Sequence, residues 1–95
     1  MKENIYYTSL FDIYGKLLTD KQQEYFKDYY FENLLLDEIS ENSGVSKNAV
    51  SKEIKRAKDL LDYYETNLKL YKKRELIKEE FKDNQTILEL IEKYF

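Results

Sequence analysis

The 95-residue sequence contains no cysteine, histidine, proline or tryptophan, and it has only two glycines. Without cysteine there is no disulfide framework, and without cysteine and histidine most zinc and transition-metal sites are excluded. The same absences exclude the Ser-His-Asp and Cys-His triads, and two isolated glycines do not build a phosphate-binding loop. We therefore predict no catalytic residue, no metal ligand and no cofactor, and we expect a protein that is not an enzyme.

Long apolar runs are also missing from the sequence. No segment approaches the roughly 18 residues of a membrane span, and no signal-peptide pattern opens the chain, so we expect a cytoplasmic protein. The length predicts one domain that covers residues 1–95. The formal net charge is −3, and this overall value does not suggest a nucleic-acid partner.

Abundant lysine, glutamate and leucine, with apolar residues at three- and four-residue steps, predict an all-α bundle of five or six helices. Thr19 and Gln22 fit a capping box at the start of one helix. Gly15 is a candidate helix stop, and either Asp83 or Asn84 is a candidate cap of the last helix.

A helix-turn-helix is predicted at about residues 36–58, followed by C-terminal helices at about residues 59–95. Gly44 takes the positive φ that ends the first helix, and Ser46 is a good N-cap for the second. We expect Ile39, Val50 and Ile54 to face the core, and Val45 to fill the corner between the helices. The second helix continues without a strong break signal. A long helix as far as about Phe81 is therefore predicted, with a weak point at residues 66–67.

The outward face of the second helix carries the positive charge of the chain. Residues 46–58 hold five cations and one carboxylate, a local charge of +4 on an acidic protein. Lysines 52 and 55 suit phosphate contacts, and Asn48 suits a base edge, as asparagine does with adenine. The alternative is that these charges form an ordinary solvated helix face, and the sequence leaves both interpretations open.

An ordered series of segments carries a resemblance to a known family: TDKQQ at 19–23, LDEIS at 36–40, GVSKNAV at 44–50 and IKRA at 54–57. The series resembles region 4 of sigma factors, a helical module that reads a promoter element. From about residue 6 to 95, and most sharply over 17–65, the chain is similar to the YlxM family of small bacterial helix-turn-helix proteins.

That resemblance implies a regulatory protein linked to the signal recognition particle pathway, with the particle's RNA or its protein component as partner. It also implies nucleic-acid contacts at Ser46, Lys47, Asn48, Ser51, Lys52, Lys55 and Arg56. Two other functions stay open. One is a transcription regulator that reads duplex DNA in the major groove, and the other is a protein-interaction module that has lost nucleic-acid binding.

Two groups of apolar and aromatic residues have more than one interpretation. The first group could be a base-stacking platform, although helical spacing favours a place in the core; it comprises Tyr6, Tyr7, Tyr14, Tyr25, Tyr29 and Tyr30. The second group forms a C-terminal stripe that either folds back on the module or pairs two subunits in a homodimer; it comprises Leu68, Tyr71, Ile77, Phe81, Ile87, Ile91 and Tyr94.

Overall fold

A computed structural model describes residues 2–95 of the chain, with side chains from residue 4 onward. The described residues form six α-helices and one short 3-10 turn (Gly15–Leu17) and contain no strand, so the predicted all-α class is confirmed. The helices are α1 (Lys2–Tyr14), α2 (Asp20–Tyr30), α3 (Leu36–Ser43), α4 (Lys47–Leu68), α5 (Leu70–Glu80) and α6 (Gln85–Tyr94).

The predicted helix starts coincide with real N-caps. The Thr19 hydroxyl accepts a hydrogen bond from the Gln22 backbone N–H at 3.1 Å, and the Gln22 side chain accepts one from the Thr19 N–H at 3.0 Å. This reciprocal pair is the capping box. At the last helix Asn84, rather than Asp83, accepts from the Ile87 N–H at 3.1 Å. Local hydrogen-bonding chemistry therefore determines where α2 and α6 begin.

Gly15 lies at the end of α1, where a helix stop was expected, but it acts through close packing. A Cβ atom built at Gly15 would lie 3.0 Å from ring atoms of Phe11. The residue is buried, and its φ is not among the positive values of the described chain. Glycine suits this position because the turn passes closely over the Phe11 ring, which would have to shift to admit a Cβ atom.

The long helix after the turn is shorter than the sequence predicted. α4 runs without interruption from Lys47 to Leu68, so the recognition helix and its continuation form one rod of 22 residues. Its extension to about Phe81 is wrong, because Lys69 adopts a left-handed conformation (φ 55°, ψ 30°) and a new helix begins at Leu70. The break falls just after the weak point predicted at residues 66–67.

A buried carboxylate and a buried tyrosine account for this break. The N–H groups of Tyr71 and Lys72 donate to the two carboxylate oxygens of Glu65 at 3.0 and 3.1 Å. The Leu70 N–H donates to the Tyr14 hydroxyl at 3.1 Å, and that hydroxyl donates to Glu65 at 2.7 Å. The first N–H groups of any helix lack intrahelical acceptors. This cluster, which we call the Glu65 latch, supplies the acceptors for α5.

Two neighbouring hydrophobic clusters share α4 as their common wall. The first joins α1, α2 and α4, and its buried members are Leu10, Tyr14, Leu18, Phe26, Ala57 and Leu61. The second joins α2, α3 and α4, and its buried members are Tyr25, Ile39, Val50 and Ile54. The apolar stripe of α4 is therefore used along most of its length, while its opposite face remains at the surface.

The C-terminal stripe folds back only in part. Ile91 of α6 is buried, and Tyr71 packs against the first cluster. Leu68, Phe81 and Tyr94 are exposed, with Tyr94 at 71%. Within the described part of the chain, no helix combines the length and the apolar character that a membrane crossing requires.

Candidate nucleic-acid interface

The turn between α3 and α4 has the geometry that the sequence predicted. Gly44 follows α3 with φ 73° and ψ 17°, in the left-handed region. The Ser46 hydroxyl then accepts a hydrogen bond from the Ala49 N–H at 3.1 Å and caps α4. The Ser40 hydroxyl donates to the Val45 carbonyl, and this bond ties α3 directly to the turn. Three residues, 44–46, thus join α3 to α4, and side-chain hydrogen bonds hold them in place.

The interior of this turn matches the prediction at three positions and differs at one. Ile39 and Val50 are fully buried, and Ile54 is 6% exposed. Val45 was expected to fill the corner, but its side chain is 37% exposed, so that prediction is wrong. The Ser40 hydroxyl holds the Val45 carbonyl at the surface, and Leu34 and Leu36 pack against the buried cluster instead.

The predicted contact residues lie together on one exposed surface, which we call the basic face. All of them are exposed, and they occupy the N-cap and the first three turns of α4. The basic face comprises Ser46, Lys47, Asn48, Ser51, Lys52, Lys55 and Arg56. Because the buried stripe of α4 points the other way, these side chains can meet a flat or grooved partner together.

Carboxylates partly neutralise the basic face. Lys47 lies 3.5 Å from Asp37 of α3, and Lys55 lies 3.0 Å from Asp59 one turn further along α4. Arg56 pairs with Glu53. Among the described residues, Lys52 makes no ion pair of this kind. Exposed pairs contribute only about 0–1 kcal/mol each, so a phosphate can displace these carboxylates.

Part of this arrangement was absent from the sequence analysis. The pairing of Lys55 with Asp59 was available there, because oppositely charged residues four apart on a helix are neighbours. The pairing of Lys47 with Asp37 was not, because it depends on how α3 crosses α4. The local charge of +4 therefore overstates the positive potential of the folded surface.

A cleft beside the basic face was also missed. It lies between α2 and α4 and has a volume of about 170 Å³. Aromatic and apolar side chains form one part of its lining, and polar or cationic side chains form the rest. These residues are Tyr29, Tyr30, Leu36 and Ile54 in the first group, and Ser51, Lys55 and Lys58 in the second. We call this space the α2–α4 cleft.

A contact between α1 and α4 holds the far end of the basic face. The Tyr7 hydroxyl donates to Asp62 at 2.8 Å, and the Lys58 ammonium lies 4.8 Å from the centre of the Tyr7 ring. Burial raises the pKa of Tyr7 to about 12, with a further contribution from the hydrogen bond to Asp62. Tyr7 thus stays protonated near neutral pH and keeps its hydrogen bond to α4.

The fold and the turn together define an all-α helix-turn-helix protein with a basic outer face on its second helix. Within that class the chain belongs to the UPF0122 family of helix-turn-helix proteins, described as YlxM / p13 like, whose family model matches residues 1–94. The family predicted from the ordered segments of the sequence is therefore confirmed.

Curated relatives from several bacteria are similar to the chain. A UPF0122 protein of Malacoplasma penetrans is 43% identical over 86 residues, which cover 87% of this chain and 80% of the relative. One from Caldanaerobacter subterraneus is 46% identical over 71 residues, covering 75% and 61%. One from Streptococcus agalactiae is 48% identical over 63 residues, covering 66% and 57%. The matched segments thus span between somewhat over half and four fifths of these relatives.

Proposed function

We propose that the chain is a non-enzymatic, cytoplasmic regulatory protein that binds nucleic acid through the basic face of α4 and acts in the signal recognition particle pathway. The observation that carries the proposal is the basic face itself. Seven exposed residues occupy the start of one helix, directly after a turn closed by Gly44 and Ser46. The assignment to this pathway rests on the resemblance to the YlxM family, and it does not use any contact within the chain.

The residues of the basic face divide by chemistry into two kinds of contact. Lys52 and Lys55 supply phosphate contacts, which position a nucleic acid without reading its sequence. Asn48 and Ser51 carry the groups that hydrogen-bond base edges. Lys47 and Arg56 flank the face and exchange their carboxylate partners for phosphates.

Duplex DNA is the second candidate, because the exposed N-terminal half of α4 has the position of a recognition helix, which lies in the DNA major groove. RNA would be bound by the same residues in a different way. The major groove of an RNA helix is too narrow for side chains to read, so RNA binding depends on the cations and on unpaired nucleotides. The two candidates therefore differ in how strongly binding depends on Asn48.

A fluorescence anisotropy titration tests the proposal. Labelled signal-recognition-particle RNA is titrated with the protein at fixed salt and then challenged with unlabelled duplex DNA. We expect saturable binding that duplex DNA fails to displace. Displacement by equimolar DNA would instead favour the duplex-DNA regulator, and the absence of binding to either would overturn nucleic-acid binding.

The test variant is the double substitution Lys52→Ala with Lys55→Ala. The control is the double substitution Lys82→Ala with Lys93→Ala, which removes the same charge. Lys82 lies between α5 and α6, and Lys93 lies in the last turn of α6, so both are outside the basic face. Loss of two phosphate contacts should weaken binding to all sequences and lower the salt slope by about two. An equal loss in both double variants would mean that net charge, rather than the basic face, drives binding.

A further inference from the structure

The α2–α4 cleft has the chemical character of a nucleotide site. Part of its lining is apolar and aromatic, from Leu36, Ile54 and Tyr29. The basic face contributes a polar part of the lining, Ser51 and Lys55. A nucleotide has the same division, because a flat base is attached to an anionic phosphate.

The size of the cleft limits what it can hold. Its volume of about 170 Å³ is below the roughly 300–1,000 Å³ of sites that enclose whole cofactors or drug-sized ligands. It is several times the roughly 30 Å³ that one water occupies in the liquid. A single ring system fits this space, and the rest of a larger ligand would lie outside the cleft.

Tyr29 lines the cleft and is partly exposed to solvent. Its side chain is 39% exposed, and its ring meets the ring of Tyr30 edge-on, with centroids 5.0 Å apart and planes at 86°. Tyr29 also lines a second cleft, of about 280 Å³, together with Leu35, Asp37 and Lys47. Tyr29 therefore borders two open spaces.

Charge distinguishes the two clefts as sites for an anion. The second cleft contains the carboxylate of Asp37, which is already paired with Lys47 at 3.5 Å. The α2–α4 cleft has no carboxylate in its lining. Lys55 is paired with Asp59, but both side chains are mostly exposed, and such a pair opens at little cost.

We infer that the α2–α4 cleft binds one unstacked nucleobase from an RNA loop or bulge, with the base stacked on Tyr29 and the adjoining phosphate at Lys55. This inference rests on the proposed nucleic-acid binding and specifies which part of the nucleic acid is recognised. Stacking on aromatic side chains is the usual way in which proteins hold unpaired RNA bases. A base inside a duplex is paired and stacked, so it cannot enter the cleft.

Two short RNA hairpins with the same stem provide the test. One carries a single bulged 2-aminopurine, and the other carries the same base opposite a pairing partner. Binding of each hairpin is measured by anisotropy at the same salt, and the 2-aminopurine fluorescence reports stacking. We expect the parent protein to bind the bulged hairpin more tightly and to quench its fluorescence.

Tyr29→Ala removes the stacking ring, and Tyr63→Ala is its matched control. Tyr63 is likewise exposed and meets the neighbouring Tyr64 ring edge-on, but it lies near the far end of α4. Loss of one stacked base should weaken binding of the bulged hairpin by about tenfold or more. Tyr29→Phe keeps the ring and should keep the preference for the bulged hairpin. Ser51→Leu places a larger side chain in the lining of the cleft and should abolish that preference.

The outcomes separate this inference from the proposed function. If the parent binds both hairpins equally, or if Tyr29→Ala weakens both by the same factor, the base site is overturned while nucleic-acid binding stands. If the parent binds neither hairpin nor the signal-recognition-particle RNA, the proposed function fails and the base site fails with it. Loss of the bulge preference in Tyr29→Ala, but not in Tyr63→Ala or Tyr29→Phe, supports the base site.

Discussion

The two ends of α4 are defined by left-handed residues, but for different reasons. Before α4, Gly44 adopts φ 73°, and Ser46 caps the helix two residues later. After α4, Lys69 adopts φ 55° although it has a side chain. A left-handed conformation costs a non-glycine residue about 1–2 kcal/mol, so the second end needs support that the first does not.

Part of that support comes from a distant part of the chain. The turn before α4 is closed within residues 40–49, through the Ser40 and Ser46 hydroxyls. The break after α4 uses local bonds from Tyr71 and Lys72 to Glu65, and it also uses the hydroxyl of Tyr14, which lies 51 residues before Glu65. One end of the recognition helix is thus a local structure, and the other also uses a group that α1 brings to α4.

Glu65→Ala should lower the free energy of unfolding more than the other substitutions. It acts at the C-terminal end of α4, where the helix breaks. Three donors would lose their acceptor, namely the buried Tyr14 hydroxyl and the half-buried N–H groups of Tyr71 and Lys72. An unsatisfied buried donor costs about 1–3 kcal/mol. We expect the free energy of unfolding to fall by about 3 kcal/mol in urea denaturation. Glu65→Gln keeps one acceptor oxygen and should lose less.

Glu41→Ala is the control for this measurement, because Glu41 is an exposed carboxylate on α3. Surface substitutions of this kind usually change stability by less than about 0.5 kcal/mol. If Glu65→Ala has an effect as small as Glu41→Ala, the Glu65 latch does not stabilise the break.

Gly44→Val acts in the turn before α4 and should lower the free energy of unfolding by about 1–2 kcal/mol. A Cβ atom at this position meets nothing within 4 Å, so the cost comes from the backbone conformation alone. Gly44→Asn should cost less, because asparagine tolerates the left-handed region better. An unchanged thermal midpoint in Gly44→Val would contradict the geometry of the turn.

Lys69→Gly should produce a smaller change of the opposite sign. Relief of about 1–2 kcal/mol of strain is offset by about 0.4–1 kcal/mol from the freer unfolded chain. A net gain of about 0.5 kcal/mol follows from these two estimates, measured by urea denaturation. Lys73→Gly, inside α5, is the control and should instead destabilise by about 1 kcal/mol. Destabilisation by both variants would mean that Lys69 is not strained.

A further difference is expected in the pH dependence of stability. Burial raises the pKa of Tyr14 to about 12, and its hydrogen bond to Glu65 adds to this shift. The ordinary value is 10.0, so the stabilisation linked to Tyr14 is complete below about pH 10 and is lost as the pH rises toward 12. In urea denaturation across that range, Tyr14→Phe should lose less stability than the parent protein.

Tyr63→Phe removes an exposed hydroxyl and is the matched control for the pH experiment. It should retain the parent's loss of stability between about pH 10 and 12. The link between Tyr14 and the break after α4 would be refuted if Tyr14→Phe followed the parent curve throughout this range.

Much of the fold was predictable because its signals are local. The capping box of Thr19, the turn at Gly44 and the cap at Ser46 each involve groups within a few residues of one another. The buried stripe of α4 was predictable as well, because helical periodicity alone identifies which residues face the core.

The candidate site was predictable only in part. Periodicity identified the exposed residues of the basic face, but it did not identify Asp37 as a partner of Lys47. Nor did it show that Tyr29 of α2 stands beside Ser51 and Lys55 across a cleft. These relations depend on the angles at which α2 and α3 cross α4, and no local pattern encodes those angles.

Local sequence was therefore sufficient for the all-α class and the helix-turn-helix, because periodicity, glycine and side-chain caps act over a few residues, and the family followed from the resemblance of the ordered segments. Tertiary structure decided that α4 stops at Leu68 and that a cleft adjoins the basic face. Each of these depends on groups that are far apart in the chain and come together only after the helices pack.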